Sequence, residues 1–288
     1  MLLTFNPACT QYTAVSPAGD GSSTLIGQLR HTQGKRSAQL SYLLPSSAVN
    51  HSTLPALLDT LAYHAGQMGA LNLVGEVGDC DPLFEVLRQN LFSVYATQVI
   101  YSLAYKSDDR PDQESQWKPA AVLPDLAARN LYQSLVPPIV QSADPFDDHT
   151  SPRLIYMEKD EVMAWVECFH GPNGLVLQPL FHPAVHNVRG LLMDLLAQLP
   201  VMDLPVYILV RSYQAWLEPV LQEMGGKCSP RQALLTRMLA VAQRSAASRA
   251  GVLNQRKAET TSPLASPYNK TFTEPQDEVE IVRSHYNH

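Results

Sequence analysis

Apolar positions along this chain follow two periods, and the order in which the periods alternate occurs twice. The clearer passage runs from Leu175 to Leu239. Leu175-Val176-Leu177 leads to Leu180-Phe181-His182-Pro183, an apolar run ended by a proline that lacks the N–H a strand ladder needs. Between Asn187 and Leu199 the apolar residues Val188, Leu191, Leu192, Leu195, Leu196 and Leu199 form one wide helical stripe, closed by Pro200. Val206-Tyr207-Ile208-Leu209-Val210 reads as a strand buried on both faces. A second helix is predicted with Trp216, Leu217, Val220, Leu221 and Met224 inward, and Gly225-Gly226 supplies its C-cap. Gln232 to Leu239 completes the passage as a strand, although its pattern also suits a helix.

An earlier passage, Ser37 to Tyr105, follows the same plan. Ala38–Leu44 is a strand stopped by Pro45, Leu54–Met68 an amphipathic helix, and Leu71–Val77 a strand. Pro82–Gln89 is a helix with Asp81 as its N-cap and proline in its first turn, and Ser93–Tyr105 is a strand rich in Val, Ile, Tyr and Thr. One offset of 134 residues pairs Leu57 with Leu191, Leu61 with Leu195, Val86 with Val220, Leu87 with Leu221 and Gln98 with Gln232. Two helices and the strand between them keep register without a gap, so a duplicated domain is the economical reading.

The remaining segments set the boundaries. Two strands, over 10–17 and Thr24–Thr32, form a meander leading into the strand at Ala38, and no helix is predicted before them. Residues 1–105 therefore make a first domain that lacks N-terminal helices. Residues 106–124 are a linker, carrying the charged run Asp108-Asp109-Arg110-Pro111-Asp112 and almost no core-forming residue. Residues 125–245 make the second domain. It opens with a helix from Asp125 to Val136 and a short one reaching Ser142, then strands Leu154–Glu158 and Val162–His170. Gly171-Pro172-Asn173-Gly174 turns the chain into Leu175. From Ala246 to His288, Ala, Ser, Arg, Gln, Thr and Pro dominate, which predicts a disordered tail.

Composition narrows the classes of function. The 288 residues, 45% of them hydrophobic, are enough for two cores. A net charge of −6 argues against nucleic acid or an anionic membrane as partner, since either needs a basic face. No apolar run reaches the ~20 residues that span a bilayer, and the first residues lack the positive start of a signal peptide. Cys9, Cys80, Cys168 and Cys228 are far apart and form no CxxC pair, which suits a reducing cytoplasm better than a disulfide framework or a zinc site.

Helix, antiparallel meander, helix, strand, helix, strand is the order of the GNAT acyltransferase fold, and the chain resembles a tandem GNAT protein over about Thr10–Tyr105 and Asp125–Leu239. Two phrases, Phe84-Glu85-Val86-Leu87-Arg88-Gln89-Asn90-Leu91-Phe92 and Trp216-Leu217-Glu218-Pro219-Val220-Leu221-Gln222-Glu223-Met224-Gly225-Gly226, look like the family's last helix and its closing turn. The resemblance implies an α/β (α+β) fold: two tandem GNAT-like domains, each a mixed, mainly antiparallel sheet with flanking helices. It also implies N-acyl transfer from acetyl-CoA or another acyl-CoA to a small-molecule or protein acceptor, or a non-catalytic binding or interaction module on the same fold. In the family, the strand before the long helix splays from its neighbour and acyl-CoA lies in the gap. Its pyrophosphate meets backbone N–H groups of a [Gln/Arg]-x-x-Gly-x-[Gly/Ala] loop at the helix N-terminus.

Carried onto this sequence, the cofactor-binding residues are His186, Asn187, Val188, Arg189 and Gly190, with three free N–H groups expected around Asn187–Gly190. The motif's marked positions hold Pro183, His186 and Val188, and the corresponding stretch of the first half, Ser46–Ser52, has no glycine. The tyrosine that protonates the leaving thiolate in the family falls at Leu87 and Leu221. Glu167, on a strand, is the candidate general base, because family members place a carboxylate on the sheet near the amine. Solvent-facing alternation along Ala164–Phe169 accounts for it equally simply. Arg189 near the helix start could meet a phosphate. His182 and His186 have an H-x3-H spacing, but Pro183 between them suits loop histidines and no third metal ligand is evident. No Ser-His-Asp set, P-loop or Rossmann fingerprint is present.

Overall fold

The computed structural model describes residues 9–16, 24–45, 52–103, 115–120, 125–146, 153–171, 174–199 and 205–239, all within one compact unit, Met1–Ala240. The tail from Ala246, most of the linker and the loop at Ser46–His51 lie outside the described residues.

Strands β1 (Cys9–Ser16), β2 (Leu25–Thr32) and β3 (Ser37–Leu44) form the antiparallel meander. Helix α1 (Leu54–Gln67) follows, burying Leu54, Leu57, Leu58 and Leu61 on the stripe that the sequence predicts. Strand β4 (Asn72–Gly78) then runs parallel to β3. Helix α2 (Pro82–Gln89) starts where Asp81 accepts a hydrogen bond from the Leu83 N–H, and β5 (Ser93–Leu103) ends this part of the chain. Within the linker stretch, Trp117–Pro119 forms edge strand β6. Trp117 is buried and donates its indole N–H to the Leu191 carbonyl at 2.8 Å, so this one linker residue belongs to the core.

Helices α3 (Asp125–Leu135) and α4 (Pro138–Ala143) precede the antiparallel strands β7 (Arg153–Glu158), β8 (Glu161–Gly171) and β9 (Gly174–Phe181). The β7–β8 hairpin turns through Lys159 and Asp160, both at positive φ, which matches the twist of the strands. Helix α5 (Val188–Gln198) leads to β10 (Val206–Arg211), parallel to β9. The single helix predicted after β10 is instead a 3₁₀ turn, Ser212–Leu217, followed by α6 (Glu218–Glu223). Leu217 and Leu221 are buried as expected, but Trp216 is 37% exposed rather than inward, because the kink at Gln214 rotates that turn. After the short β11 (Lys227–Cys228), Gln232–Met238 is strand β12, which resolves the helix-or-strand ambiguity.

All twelve strands among the described residues join one sheet, in the order β1-β2-β3-β4-β12-β5-β10-β9-β8-β7-β6 with β11 beside β5. The last strand, β12, is seated between β4 and β5, and β5 reaches β10. Strands from the two ends of the chain therefore alternate at the centre of the sheet. On one face, α1 covers a core of Leu29, Leu61, Leu73 and Leu235, and α5 and α6 cover a second core of Leu177, Leu192, Leu195 and Ile208. Burying each such leucine stabilises by about 1.5–3 kcal/mol. On the other face, α3 and α4 close a third core around Tyr132, Val140, Ile155, Trp165 and Leu234. The fold is GNAT-like: meander, helix, parallel strand, helix, antiparallel strand, present in both parts of the chain.

Candidate functional site

Two neighbouring features are built at the β9–β10 junction. The first is the gap between these strands. They pair at only three positions, Leu175 with Val206, Val176 with Tyr207 and Leu177 with Ile208. The matching strands β3 and β4 also pair at three positions, Ser37 with Asn72, Ala38 with Leu73 and Gln39 with Val74. Past Leu177 the two strands diverge, and their facing backbone groups need other partners.

Gln214 supplies them at Phe181, the last residue of β9. Its Oε1 accepts from the Phe181 N–H at 2.9 Å and its Nε2 donates to the Phe181 carbonyl at 3.2 Å. The side chain is 2% exposed, and the non-helical φ/ψ of −119° and 19° at Gln214 bend the 3₁₀ turn where it points inward. One primary amide thus acts as a one-residue extension of the ladder within the gap. This polar residue was hidden in the sequence, where it reads as an ordinary surface position of a helix.

The mouth of the gap holds the residues expected to cradle a cofactor. Val188 is buried in the core, His186, Asn187 and Arg189 are exposed, and Gly190 is half-buried. Asn187 is the N-cap of α5, and its Oδ1 accepts from the Gly190 N–H at 3.0 Å. One of the N–H groups expected to be free is thereby occupied. A Cβ at position 190 would collide with the Asn187 amide, so glycine is required there to let the cap close. His182 also serves a local turn, its Nδ1 accepting from the Ala184 N–H. An acyl-CoA does not fit this cleft as built. Gln214 bonds both backbone groups of Phe181, Asn187 takes an N–H at the helix start, and Pro183 has none to give. Among the described residues, no three His, Cys, Asp or Glu side chains gather to hold a metal ion.

The second feature is a cavity of about 420 Å³ on the α3–α4 face of the sheet. Its walls come from the β2–β3 turn, β4, β5, the chain after α4, strands β7 to β9 and the end of β10. Glu167 is on this wall. Register sets Arg153 on β7 and Gln178 on β9 directly opposite it. Arg153 donates from Nε and Nη2 to Glu167 Oε1 at 2.8 and 2.7 Å, and its guanidinium lies over the Phe146 ring, 4.4 Å from the centroid. Burial raises the Glu167 pKa above its ordinary value, and the Arg153 charge opposes that shift.

At the far end of β10, Arg211 is 7% exposed and meets Asp144 Oδ2 through Nη2 at 3.5 Å, a long contact for an ion pair. The Tyr95 and Tyr132 phenols on the same wall have pKa values raised chiefly by burial, so both stay protonated. Tyr132 donates to the Asp144 backbone carbonyl, while Ser37 Oγ and Asn72 Nδ2 donate to the carbonyls of Ala143 and Ser142. These bonds pin the end of α4 to β3 and β4 and hold the cavity roof in place.

Solved structures with similar folds include a tandem GNAT protein from the clavulanic acid biosynthesis pathway, with 13% identity and a TM-score of 0.46 over 81% of this chain and 84% of that one. A GCN5-related N-acetyltransferase from Sphaerobacter thermophilus has 10% identity and a TM-score of 0.48 over 74% and 76% of the two chains. One from Kribbella flavida has 12% identity and a TM-score of 0.47 over 78% and 89%. No protein-family model and no curated protein matches the sequence.

Proposed function

We propose that this chain is a GNAT-like binding protein that holds a small polar molecule in the cavity beneath Arg153, Glu167 and Arg211. The observation that carries the reading is the cavity itself, about 420 Å³, with the buried Arg153 and Arg211 and the half-buried Glu167 in a wall built largely on the sheet. That volume lies within the ~300–1,000 Å³ range of small-molecule sites. Trp165 lines the cavity, so an occupant should change its fluorescence. The test is a panel of polar metabolite-sized compounds, scored by tryptophan emission and melting temperature. A panel that moves neither observable defeats the reading.

A second reading is acyl-CoA-dependent N-acyl transfer, with Glu167 as the base that accepts a proton from an amine. The observation favouring it is that burial raises the pKa of this carboxyl, as a base for an ammonium group requires, close to a pair of splayed parallel strands. It requires Gln214 to leave Phe181. Titration with acetyl-CoA separates the two readings.

Residues 1–105 and 125–245 belong to the same proposal as two copies of one unit, supported by their shared three-pair contact between parallel strands. No described helix is long and apolar enough to cross a membrane. The four unpaired cysteines support a cytoplasmic setting.

A further inference from the structure

Six buried side-chain nitrogen or oxygen atoms among the described residues have no hydrogen-bond partner, and three of them belong to the cavity wall. These three are Trp165 Nε1, Arg211 Nε and Arg211 Nη1. All are donors. Buried donors without partners are costly, at about 1–3 kcal/mol each and more for a charged group. A cluster of them beside a cavity needs a reason.

The charge of the wall points the same way. Lys35, Arg36, Arg153 and Arg211 face the cavity against Glu76, Asp144 and Glu167, an excess of one cation in a chain whose net charge is −6. The Glu167 carboxylate is engaged by Arg153 through two bonds. Arg211 has the 3.5 Å contact to Asp144, whose side chain is half exposed to water, and the neighbouring Tyr95 phenol, while its Nε and Nη1 hydrogens stay unmet. A guanidinium taken out of water needs a closer anion than that.

We infer that the cavity takes a small organic carboxylate, held by Arg211 with Trp165 as a second donor. The inference rests on the proposal that the cavity is a binding site, and it adds the sign of the ligand's charge. A carboxylate has two oxygens and about four acceptor positions, enough to engage the spare donors of both side chains, whereas an ammonium group would bring no acceptor for them.

The experiment uses the full chain and two probes of equal length and opposite charge, glutarate and cadaverine, with glutaramide as the neutral control. Binding is read by calorimetry and by tryptophan emission, to which Trp165 on the cavity wall contributes. Glutarate is expected to bind, and the other two are not. Arg211→Gln should weaken glutarate binding by ~10-fold or more, as loss of a hydrogen bond to a charged group predicts. Trp165→Phe, which removes the N–H donor with the five-membered part of the indole and leaves an aromatic ring in its place, should weaken it by about 2- to 10-fold when read by calorimetry. This second variant keeps the test decisive if Arg211→Gln fails to fold. Binding of cadaverine or glutaramide without glutarate would overturn the carboxylate assignment and leave the binding-site proposal standing. Silence from all three compounds, together with an unresponsive metabolite panel, would overturn both. Glutarate binding that is unchanged in both variants would also overturn the assignment.

Discussion

Gln98 and Gln232 face each other at the centre of the sheet as register partners of β5 and β12, and Gln98 Nε2 donates to Gln232 Oε1 at 2.8 Å. Their separation of 134 residues is the offset that aligns the two hydrophobic patterns. Equivalent residues of two copies meet each other only at an axis that relates the copies. On the proposal of duplication, the axis passes between these two glutamines, and each copy contributes its last strand to the sheet of the other.

Gln98 is buried and Gln232 half-buried, which makes the energetics of the pair asymmetric. Gln98→Met leaves Gln232 Oε1 without its donor and should cost about 1–3 kcal/mol. Gln232→Met should cost less, because Gln98 Nε2 keeps Glu76 Oε2 as an acceptor at 3.3 Å. The double variant should cost less than the sum, because replacing both partners by apolar groups removes the unmet polar atoms as well. Urea unfolding of the four proteins gives the coupling energy. Strict additivity would mean that the contact does not hold the sheet together.

Much of the fold is legible in the sequence because it depends on local pattern. The α1 stripe, the Asp81 cap with Pro82, and the five apolar residues of β10 each carry their signal within one element. What is not legible depends on partners far apart in the chain. Nothing local to Gln232–Met238 says that this strand inserts between β4 and β5. The Arg153–Glu167 pair is hidden for a different reason. A two-residue turn at Lys159-Asp160 alone would set Glu167 opposite Pro152, and a bulge between Tyr156 and Met157 moves the register by one to Arg153. The sequence therefore offers Glu167 as a lone carboxylate, although the fold gives it a partner. Gln214 is missed because the pattern around it predicts a helix.

Glu167 should leave a mark on the pH dependence of stability. Its folded-state pKa is raised above 4.5, so the folded protein holds this proton more tightly than the unfolded chain does. Its contribution is then most favourable below the unfolded value and declines as pH rises through the folded one. Glu167→Gln cannot titrate, and its amide can still accept from Arg153. The melting temperature of wild type minus that of Glu167→Gln should fall as pH increases from about 4.5 toward neutrality, then level off. A difference that rises with pH would mean that Arg153, not burial, controls this carboxyl.

The cysteines provide a check on burial that needs no substitution. Cys80 and Cys228 are exposed, whereas Cys168 is buried on β8 with its thiol pushed up to about 11 by burial. The thiolate is the reactive form, so a thiol reagent at mildly alkaline pH should modify Cys80 and Cys228 promptly and Cys168 only after denaturant is added. Peptide mapping of the modified protein identifies the sites. Prompt labelling of Cys168 would show that β8 opens far more readily than its packing allows.

The Gln214 clasp yields the prediction that bears most directly on acyl-CoA. Gln214→Ala leaves the N–H and C=O of Phe181 without their partners in a site where Gln214 itself is 2% exposed. At about 1–3 kcal/mol for each unmet buried group, the variant should be destabilised by ~2 kcal/mol or more. Gln214→Glu should be at least as damaging, since an ionised carboxylate can accept from the Phe181 N–H but has no hydrogen for the carbonyl. Wild type should show no calorimetric signal with acetyl-CoA at this cleft, because the amide fills the gap and Pro183 cannot donate at the mouth. Hydrogen exchange at Phe181 reports directly on the clasp. It should be slow in wild type, fast in Gln214→Ala, and unaffected in wild type by acetyl-CoA. If acetyl-CoA binds tightly to wild type and alters exchange at Phe181, then Gln214 is a gate that the cofactor opens rather than a permanent occupant of the gap, and the acyl-transfer reading becomes the better one.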